Sequence, residues 1–366
     1  MAGPASGVDW DADPGFAAGD PAVRTDVLPG EVYFRDNAVD SLDRIVMAGD
    51  CEPGWGDDDF CVVRYTAAGE LDVTFGGGDG FVTTDPTGTD DYDYVEGVVV
   101  DSLDRVVVAG DCDDPVSNDN DFCVVRYTAA GELDVTFGAG GVVMTDPTGD
   151  DGDDYISGVV VDSLDRVVVA GDCEEYDDVL DEYDSQFCMV RYSSDGSLDV
   201  TFGSGGIQFY SYPAVPYSNG ALAIDDLGRV TVAGVCSEDE ITVSGCVVRF
   251  QPDGNIDLSW GGGDGTVTWD MSADFGEEIF IAKAVSIDSA GNAVVSGDCA
   301  ANLLFALDSG FCTAKFRTGP FLLDCEMERP VPFGDIGPSS YAYGAVACLY
   351  ELGVTNGTSP STYSPN

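Results

Sequence analysis

One motif that returns five times, four short valine-rich runs within each copy, and Gly or Asp at the bends between them predict an all-β chain folded as a β-propeller. The segment AVDSLDRIVMAGDC (38–51) comes back as VVDSLDRVVVAGDC at 99–112 and at 160–173. It comes back degraded as AIDDLGRVTVAGVC (223–236) and SIDSAGNAVVSGDC (286–299). Arg44, Arg105, Arg166, Arg229 and Asn292 hold one turn position and stand 61, 61, 63 and 63 residues apart. That period suits one four-stranded antiparallel blade per copy.

The second copy shows each element. Strand one is VEGVVVD (95–101), strand two RVVVAGDC (105–112), strand three FCVVRYT (122–128) and strand four GGVVMTD (140–146). β-Branched runs bounded by Gly, Asp and Asn are the strand signal. The bend between strands one and two carries Asp43, Asp104, Asp165, Gly228 and Gly291, residues that tolerate a left-handed backbone. Within strand three, Arg64, Arg126, Arg191 and Arg249 recur, with Lys315 in the same place. Their even distribution points to a repeated ion pair with Asp72, Asp134, Asp199 and Asp257 rather than to a basic binding site. Phe75, Phe137, Phe202 and Trp260 recur likewise and are expected between blades.

The two ends indicate the blade number. FAAGDPAVRTDV (16–27) aligns without a gap on FGGGDGFVTTDP (75–86), so the N-terminal segment has the sequence of an outermost fourth strand. The fifth copy has three strands, the last being FCTAKFRTG (311–319), and then runs into a Pro-containing stretch. The N-terminal strand fits that vacancy, giving five four-stranded blades and no open edge. A fragment of a six- or seven-bladed ring is the alternative. The chain divides into a leader (1–12), five repeats (13–318), a linker (319–330) and a tail (331–366), the tail reading as a short helix.

The 366 residues are 44% hydrophobic, enough for a real core, and carry 68 Asp+Glu against 14 Lys+Arg, a formal net charge of −54. Nucleic acid and anionic membrane surfaces are poor partners for such a chain. With no His, Ser-His and Cys-His nucleophile pairs and His-ligated metals are excluded. Twelve cysteines fall in close pairs: Cys51 and Cys61, Cys112 and Cys123, Cys173 and Cys188, Cys236 and Cys246, Cys299 and Cys312, then Cys325 and Cys348. Without a CxxC they read as disulfides of an exported, extracellular or cell-surface protein, against free buried thiols as the alternative. Residues 1–15 show neither the basic nor the apolar part of a signal peptide. No apolar run approaches the roughly 18 residues of a membrane helix, so no membrane insertion is expected.

The repeat pattern, D-x-x-[GD]-R-[IV]-V-V-A-G followed by C-V-V-R-[YF]-x-x-x-G-x-[LI]-D-x-x-[FW]-G, resembles the delta-60 repeat family of secreted bacterial β-propeller-like proteins over residues 13–318. The resemblance implies a secreted or surface propeller and no particular reaction; the Cys pair in each repeat departs from the plain pattern. The tail resembles the first part of an S-layer homology motif. Phe333, Asp335-Ile336, the small-residue stretch AYGAVACLYELGV (342–354), Thr355-Asn356-Gly357 and Tyr363 to Asn366 carry that likeness. It implies non-covalent attachment to an anionic cell-wall polymer. The basic Thr-Arg segment that follows in such motifs is not reached, so a longer natural protein is expected, with the cell-wall polymer bound through the completed C-terminal module.

Acidic residues cluster in the loops between strands two and three and between blades, which a propeller gathers on one face. Asp150, Asp151, Asp153 and Asp154 offer hard oxygen ligands for calcium, although no cluster has the spacing of a known calcium loop. A solvated acidic surface is the plainer reading. At the entry of strand one, beside the central channel, the repeats differ: Arg35, Glu96, Ser157, Gly220 and Lys283 are equivalent, with Asp36 after Arg35. Arg35, Asp36, Glu96 and Lys283 are therefore the candidates for a carbohydrate or protein ligand at the channel mouth; drift at a wet position is the alternative. Two carboxylates from adjacent blades, Asp36 and Glu96, also make the best case for a glycosidase. No nucleophile-elbow or phosphate-loop motif occurs in a suitable context, so no catalytic residue is assigned. The expected function is a non-enzymatic, envelope-tethered binding or adhesion scaffold.

Overall fold

The computed structural model describes residues 16–17, 23, 31–54, 57–89, 92–117, 119–149, 152–177, 182–210, 217–237, 243–269, 279–300 and 309–316. Strands β1 (Val32–Val39), β2 (Ile45–Gly54), β3 (Asp57–Tyr65) and β4 (Phe81–Thr84) form the first sheet. β5 (Asp93–Val100), β6 (Val106–Asp113), β7 (Asn120–Tyr127) and β8 (Val142–Thr145) form the second. β9 (Asp154–Val161), β10 (Val167–Asp177), β11 (Glu182–Tyr192) and β12 (Ile207–Tyr210) form the third. β13 (Tyr217–Ile224), β14 (Val230–Ser237), β15 (Val243–Phe250) and β16 (Thr266–Trp269) form the fourth, and β17 (Ile279–Ile287), β18 (Ala293–Ala300) and β19 (Ser309–Phe316) the fifth. Each sheet is an antiparallel meander in chain order, the architecture of propeller blades.

Why the strands are apolar without alternation follows from how the sheets stack. Val106 and Val108 pack against Val46, Ala48, Phe60 and Val62 of the first sheet. Their neighbours Val107 and Ala109 pack the other way, against Ile156, Val167, Val169 and Val190 of the third. Both faces of a middle blade are buried, so both registers of the strand must be apolar. Further cores join sheets three and four and sheets four and five. The first strands pack in sequence, β1 on β5, β5 on β9, β9 on β13 and β13 on β17.

The repeated bend behaves as its residues require. Asp43, Asp104 and Asp165 adopt φ of 59°, 58° and 55°, and Gly228 and Gly291 take 75° and 79°. The recurring ion pairs form with Nε–Oδ2 distances of 2.8 Å (Arg64–Asp72), 2.9 Å (Arg126–Asp134), 2.9 Å (Arg191–Asp199) and 2.7 Å (Arg249–Asp257). Each guanidinium also lies over an aromatic ring, Arg126 at 4.3 Å from the centre of Phe137. Three of them donate into the next blade, Arg64 to the Ala129 carbonyl (2.7 Å), Arg126 to that of Ser194 (2.7 Å) and Arg191 to that of Pro252. Lys315 departs from this pattern: it is exposed and pairs with the bend residue Asp288 at 2.5 Å.

Cys51–Cys61, Cys112–Cys123 and Cys173–Cys188 are disulfides with Cα–Cα distances of 5.9, 5.7 and 5.9 Å. Each crosses from strand two to strand three on the diagonal of the ladder. Cys246 is also disulfide-bonded. The backbone register sets Cys299 and Cys312 on the same diagonal. Cys325 and Cys348 lie outside the described residues. In the third blade the ladder continues past the disulfide, from Glu174 opposite Ser185 to Asp177 opposite Glu182. What reads as a long acidic loop (172–188) is therefore mostly hairpin.

The N-terminal segment docks where the repeat pattern places it. The Ala17 amide donates to the Ala68 carbonyl (2.6 Å), as Gly76 does to Ala130 and Gly138 to Asp195 (2.9 Å each). Phe16 lies under Gly69 as Phe75 lies under Gly131. Ala17 even takes the left-handed φ (46°) that Gly76 and Gly138 supply elsewhere. Residues 16–17 thus occupy, on blade one, the position of a preceding blade's outer turn. The strand expected after them, the fourth strand of blade five, the linker and the helical tail lie outside the described residues. Among the described residues no broad packing of β17 on β1 is present. Val32, Tyr33 and Phe34 of β1 are exposed on blade one.

Candidate functional site at the channel mouth

Each innermost strand carries a β-bulge, and the variable positions are the bulged residues. The register skips one residue between Phe34 and Asp36, between Val95 and Gly97, and between Ala282 and Ala284, leaving Arg35, Glu96 and Lys283 out of the ladder. Ser157 is skipped in the third blade, and Gly220 falls within the shift between Tyr217 and Ala221. A bulge frees a backbone amide and re-aims a side chain, which is why it suits a functional rim.

The bulge depends on a glycine in the facing strand. A Cβ on Gly49, Gly110 or Gly171 would fall on the carbonyl of Tyr33, Tyr94 or Tyr155 respectively. That close approach accounts for the Gly of the A-G-D-C motif. The Asp beside it serves the next blade. Asp50 Oδ1 accepts the Val95 amide at 2.6 Å, and Asp111 Oδ1 accepts the Ile156 amide at 2.5 Å. Both carboxyl groups are buried.

Around these anchors the first two blades gather charge. Arg35 donates through Nε to Asp50 Oδ2 at 2.6 Å, and its guanidinium stands 6.0 Å from the centre of the Tyr94 ring. Burial pushes the Asp50 carboxyl up despite Arg35 and the Val95 amide. Burial pushes Asp111 well above the usual carboxylate range, and the charges of Glu96 and Asp50 add to it. Glu96 is raised by burial and by Asp50, against the pull of Arg35. The rim thus holds one arginine among three carboxyl groups that resist ionisation, able both to donate and to accept hydrogen bonds.

The structure brings Arg35 and Glu96 together across the first blade junction. Asp36 is engaged elsewhere: it accepts the Val98 amide of the next blade at 3.0 Å and the Asn37 amide at 2.7 Å. It is a bulge anchor rather than an open carboxylate. Lys283 is exposed on blade five. Asp50 and Asp111 were not singled out from sequence. The available signal was a charged residue recurring inside a valine-rich strand, at 50, 111, 172 and 298, with Val235 in the fourth copy.

Of the four acids nominated for calcium, Asp150 and Asp151 lie outside the described residues. Asp153 accepts the Asn120 amide at 3.1 Å, and Asp154 is buried at the start of β9 and accepts the Glu174 amide at 3.1 Å.

Comparison with known proteins agrees with both halves of the sequence reading. The domain of unknown function DUF5122, described as a beta-propeller, matches residues 104–137 and 165–202. The S-layer homology domain matches residues 332–366. The chain is a β-propeller with an S-layer homology region. No curated protein matches the chain. Similar solved structures include a polysaccharide lyase, Uly1 (10% identity, covering 81% of this chain and 72% of that one, TM-score 0.45). An endo-arabinase from Bacteroides thetaiotaomicron has 10% identity, covers 80% and 96%, and has a TM-score of 0.40. A gluconolactonase from Xanthomonas campestris has 13% identity, covers 80% and 79%, and has a TM-score of 0.36. Likenesses this distant carry no argument about what this propeller does. The S-layer homology region indicates association with the cell surface, and the disulfides suit an oxidising exterior. Among the described residues no helix is long and apolar enough to cross a membrane.

Proposed function

We propose that this propeller is a non-enzymatic scaffold held on the cell envelope through residues 332–366, presenting the rim around Arg35 and Glu96 to a polar ligand such as a glycan or a protein loop. The observation that carries the reading is the S-layer homology match, because it supplies an attachment chemistry independent of the propeller. The charge of −54 adds a physical role, since an acidic propeller is repelled by an anionic wall polymer and stands off from it. Binding rather than hydrolysis is favoured at the rim because three of its acids are already committed, Asp36 to the Val98 amide, Asp50 to Arg35 and the Val95 amide, and Asp111 to the Ile156 amide. That leaves Glu96 without the second open carboxylate that glycoside hydrolysis requires.

The test is sedimentation of the full chain with purified cell walls, against a deletion of residues 332–366 and against walls stripped of their anionic polymer. The full chain is expected to co-sediment with intact walls only; equal sedimentation of the deletion variant would overturn the tether. In parallel, the chain and Glu96→Gln are assayed on a glycan panel. Turnover by the parent that Glu96→Gln abolishes would establish the alternative, a propeller glycosidase.

A further inference from the structure

Beyond the channel rim, the second blade junction brings together three acids from the ends of three separate strands. Asp121 stands at the start of strand three, Asp146 directly after strand four, and Asp154 at the start of the next blade's first strand. One carboxylate oxygen from each lies within 4.8 Å of the others. Two oxygens about 2.4 Å from a shared calcium ion are at most about 4.8 Å apart, so this spacing accommodates calcium.

Proximity of acids is common on an acidic surface, but Asp121 is not on the surface. It is 4% exposed, and its Oδ1 has no hydrogen-bond partner. An unsatisfied carboxylate oxygen in such a place carries a desolvation cost that a bound cation would offset. Asp146 Oδ1 takes the turn contacts from Thr148 Oγ1 (3.2 Å) and Gly149 N (2.5 Å).

The repeat gives an internal comparison. The first junction carries Asp59, Asp85 and Asp93 at the same three positions, and Asp93 is again buried (1% exposed) with Oδ1 unpartnered. At the third junction the sequence has Gln186, Ser211 and Tyr217, none of them acidic.

We infer that Asp121, Asp146 and Asp154 form a calcium site that clasps blade two to blade three. Three carboxylates leave several of calcium's roughly six to eight oxygen positions for water and loop carbonyls. The ion ties two loops of one blade to the first strand of the next, at the end of the molecule where acidic loops repel one another.

The test uses the full chain, stripped with chelator, and calcium as the probe. Bound calcium is counted by equilibrium dialysis for the parent, for Asp146→Asn, for Asp121→Asn and for the surface control Asp79→Asn. Thermal melts are run with CaCl2 and with NaCl at matched ionic strength. Asp146→Asn keeps the turn-capping oxygen and removes one ligand charge, so it is expected to fold normally without metal and to bind one calcium fewer than the parent. Asp121→Asn is expected to do the same, and Asp79→Asn to bind as the parent does. The parent is expected to melt higher in CaCl2 than in matched NaCl. Equal melting in the two salts, or an undiminished calcium count in Asp146→Asn and Asp121→Asn, overturns the site.

Discussion

At the residue scale, the chain uses carboxylates as backbone acceptors as much as charges. Asp50 and Asp111 each satisfy an amide that the next blade's bulge would otherwise leave bare. The role has a consequence in pH. Asp111, faced by Arg35, Asp50 and Glu96, has its carboxyl held well above the usual range, so between about pH 4 and that raised value the folded state holds a proton that the unfolded state has lost. Its contribution is therefore present at low pH and is lost as pH rises. Asp111→Asn keeps an oxygen for the Ile156 amide and cannot ionise. Urea midpoints measured from pH 5 to 8.5 are expected to fall less steeply with pH in Asp111→Asn than in the parent. Parallel slopes would contradict this account of Asp111.

At the scale of the element, the innermost strand and its partner make one device: a bulge, a glycine beneath it and an aspartate reaching to the next blade. Gly110 is not left-handed; it is a glycine because the Tyr94 carbonyl occupies the space of a side chain. Gly110→Ala is expected to destabilise by about 1–3 kcal/mol, as overpacked cores do, by forcing β5 and β6 apart. The same substitution displaces Glu96 and, through Asp111, the next blade's bulge. Denaturant titration reads the loss; an unchanged midpoint would show that the strand can flatten without cost. The bend between strands one and two was legible because a left-handed turn admits few residue types. The bulge was not, because a one-residue slip leaves the alternation of valines intact on both sides and both faces are apolar.

At the scale of the whole molecule, cohesion lies between sheets. Arg126 pairs with Asp134 in its own blade, where Arg105 shares the same oxygen at 3.7 Å, lies over Phe137, and reaches the Ser194 carbonyl of the next. Arg126→Ala leaves the buried Asp134 with only Arg105, 3.7 Å away, as its cation, so the loss is expected toward the lower end of the about 3–5 kcal/mol that breaking a buried pair costs. A urea midpoint that falls accordingly is expected. A change under about 1 kcal/mol, the range of exposed pairs, would place the interaction at the surface in solution.

What the sequence determined by itself was everything that repeats: the blade, its bends, the Arg–Asp pairs, the aromatic residues between blades and the three described disulfides. Repetition turns a weak local signal into a strong one, since each copy must meet the same steric demands. The N-terminal segment was legible for the same reason, as Phe16 and Ala17 copy a turn whose other examples are internal. Only the tertiary structure decided which acids stand together. Asp121, Asp146 and Asp154 come from three separate strand ends, and the neighbours Asp153 and Asp154 that looked like parts of one ligand set part ways, with Asp153 bound to Asn120 and Asp154 turned to Asp121 and Asp146. The physical reason is that strand direction alternates: consecutive loop residues point to different sides, while the ends of three separate strands converge on one junction.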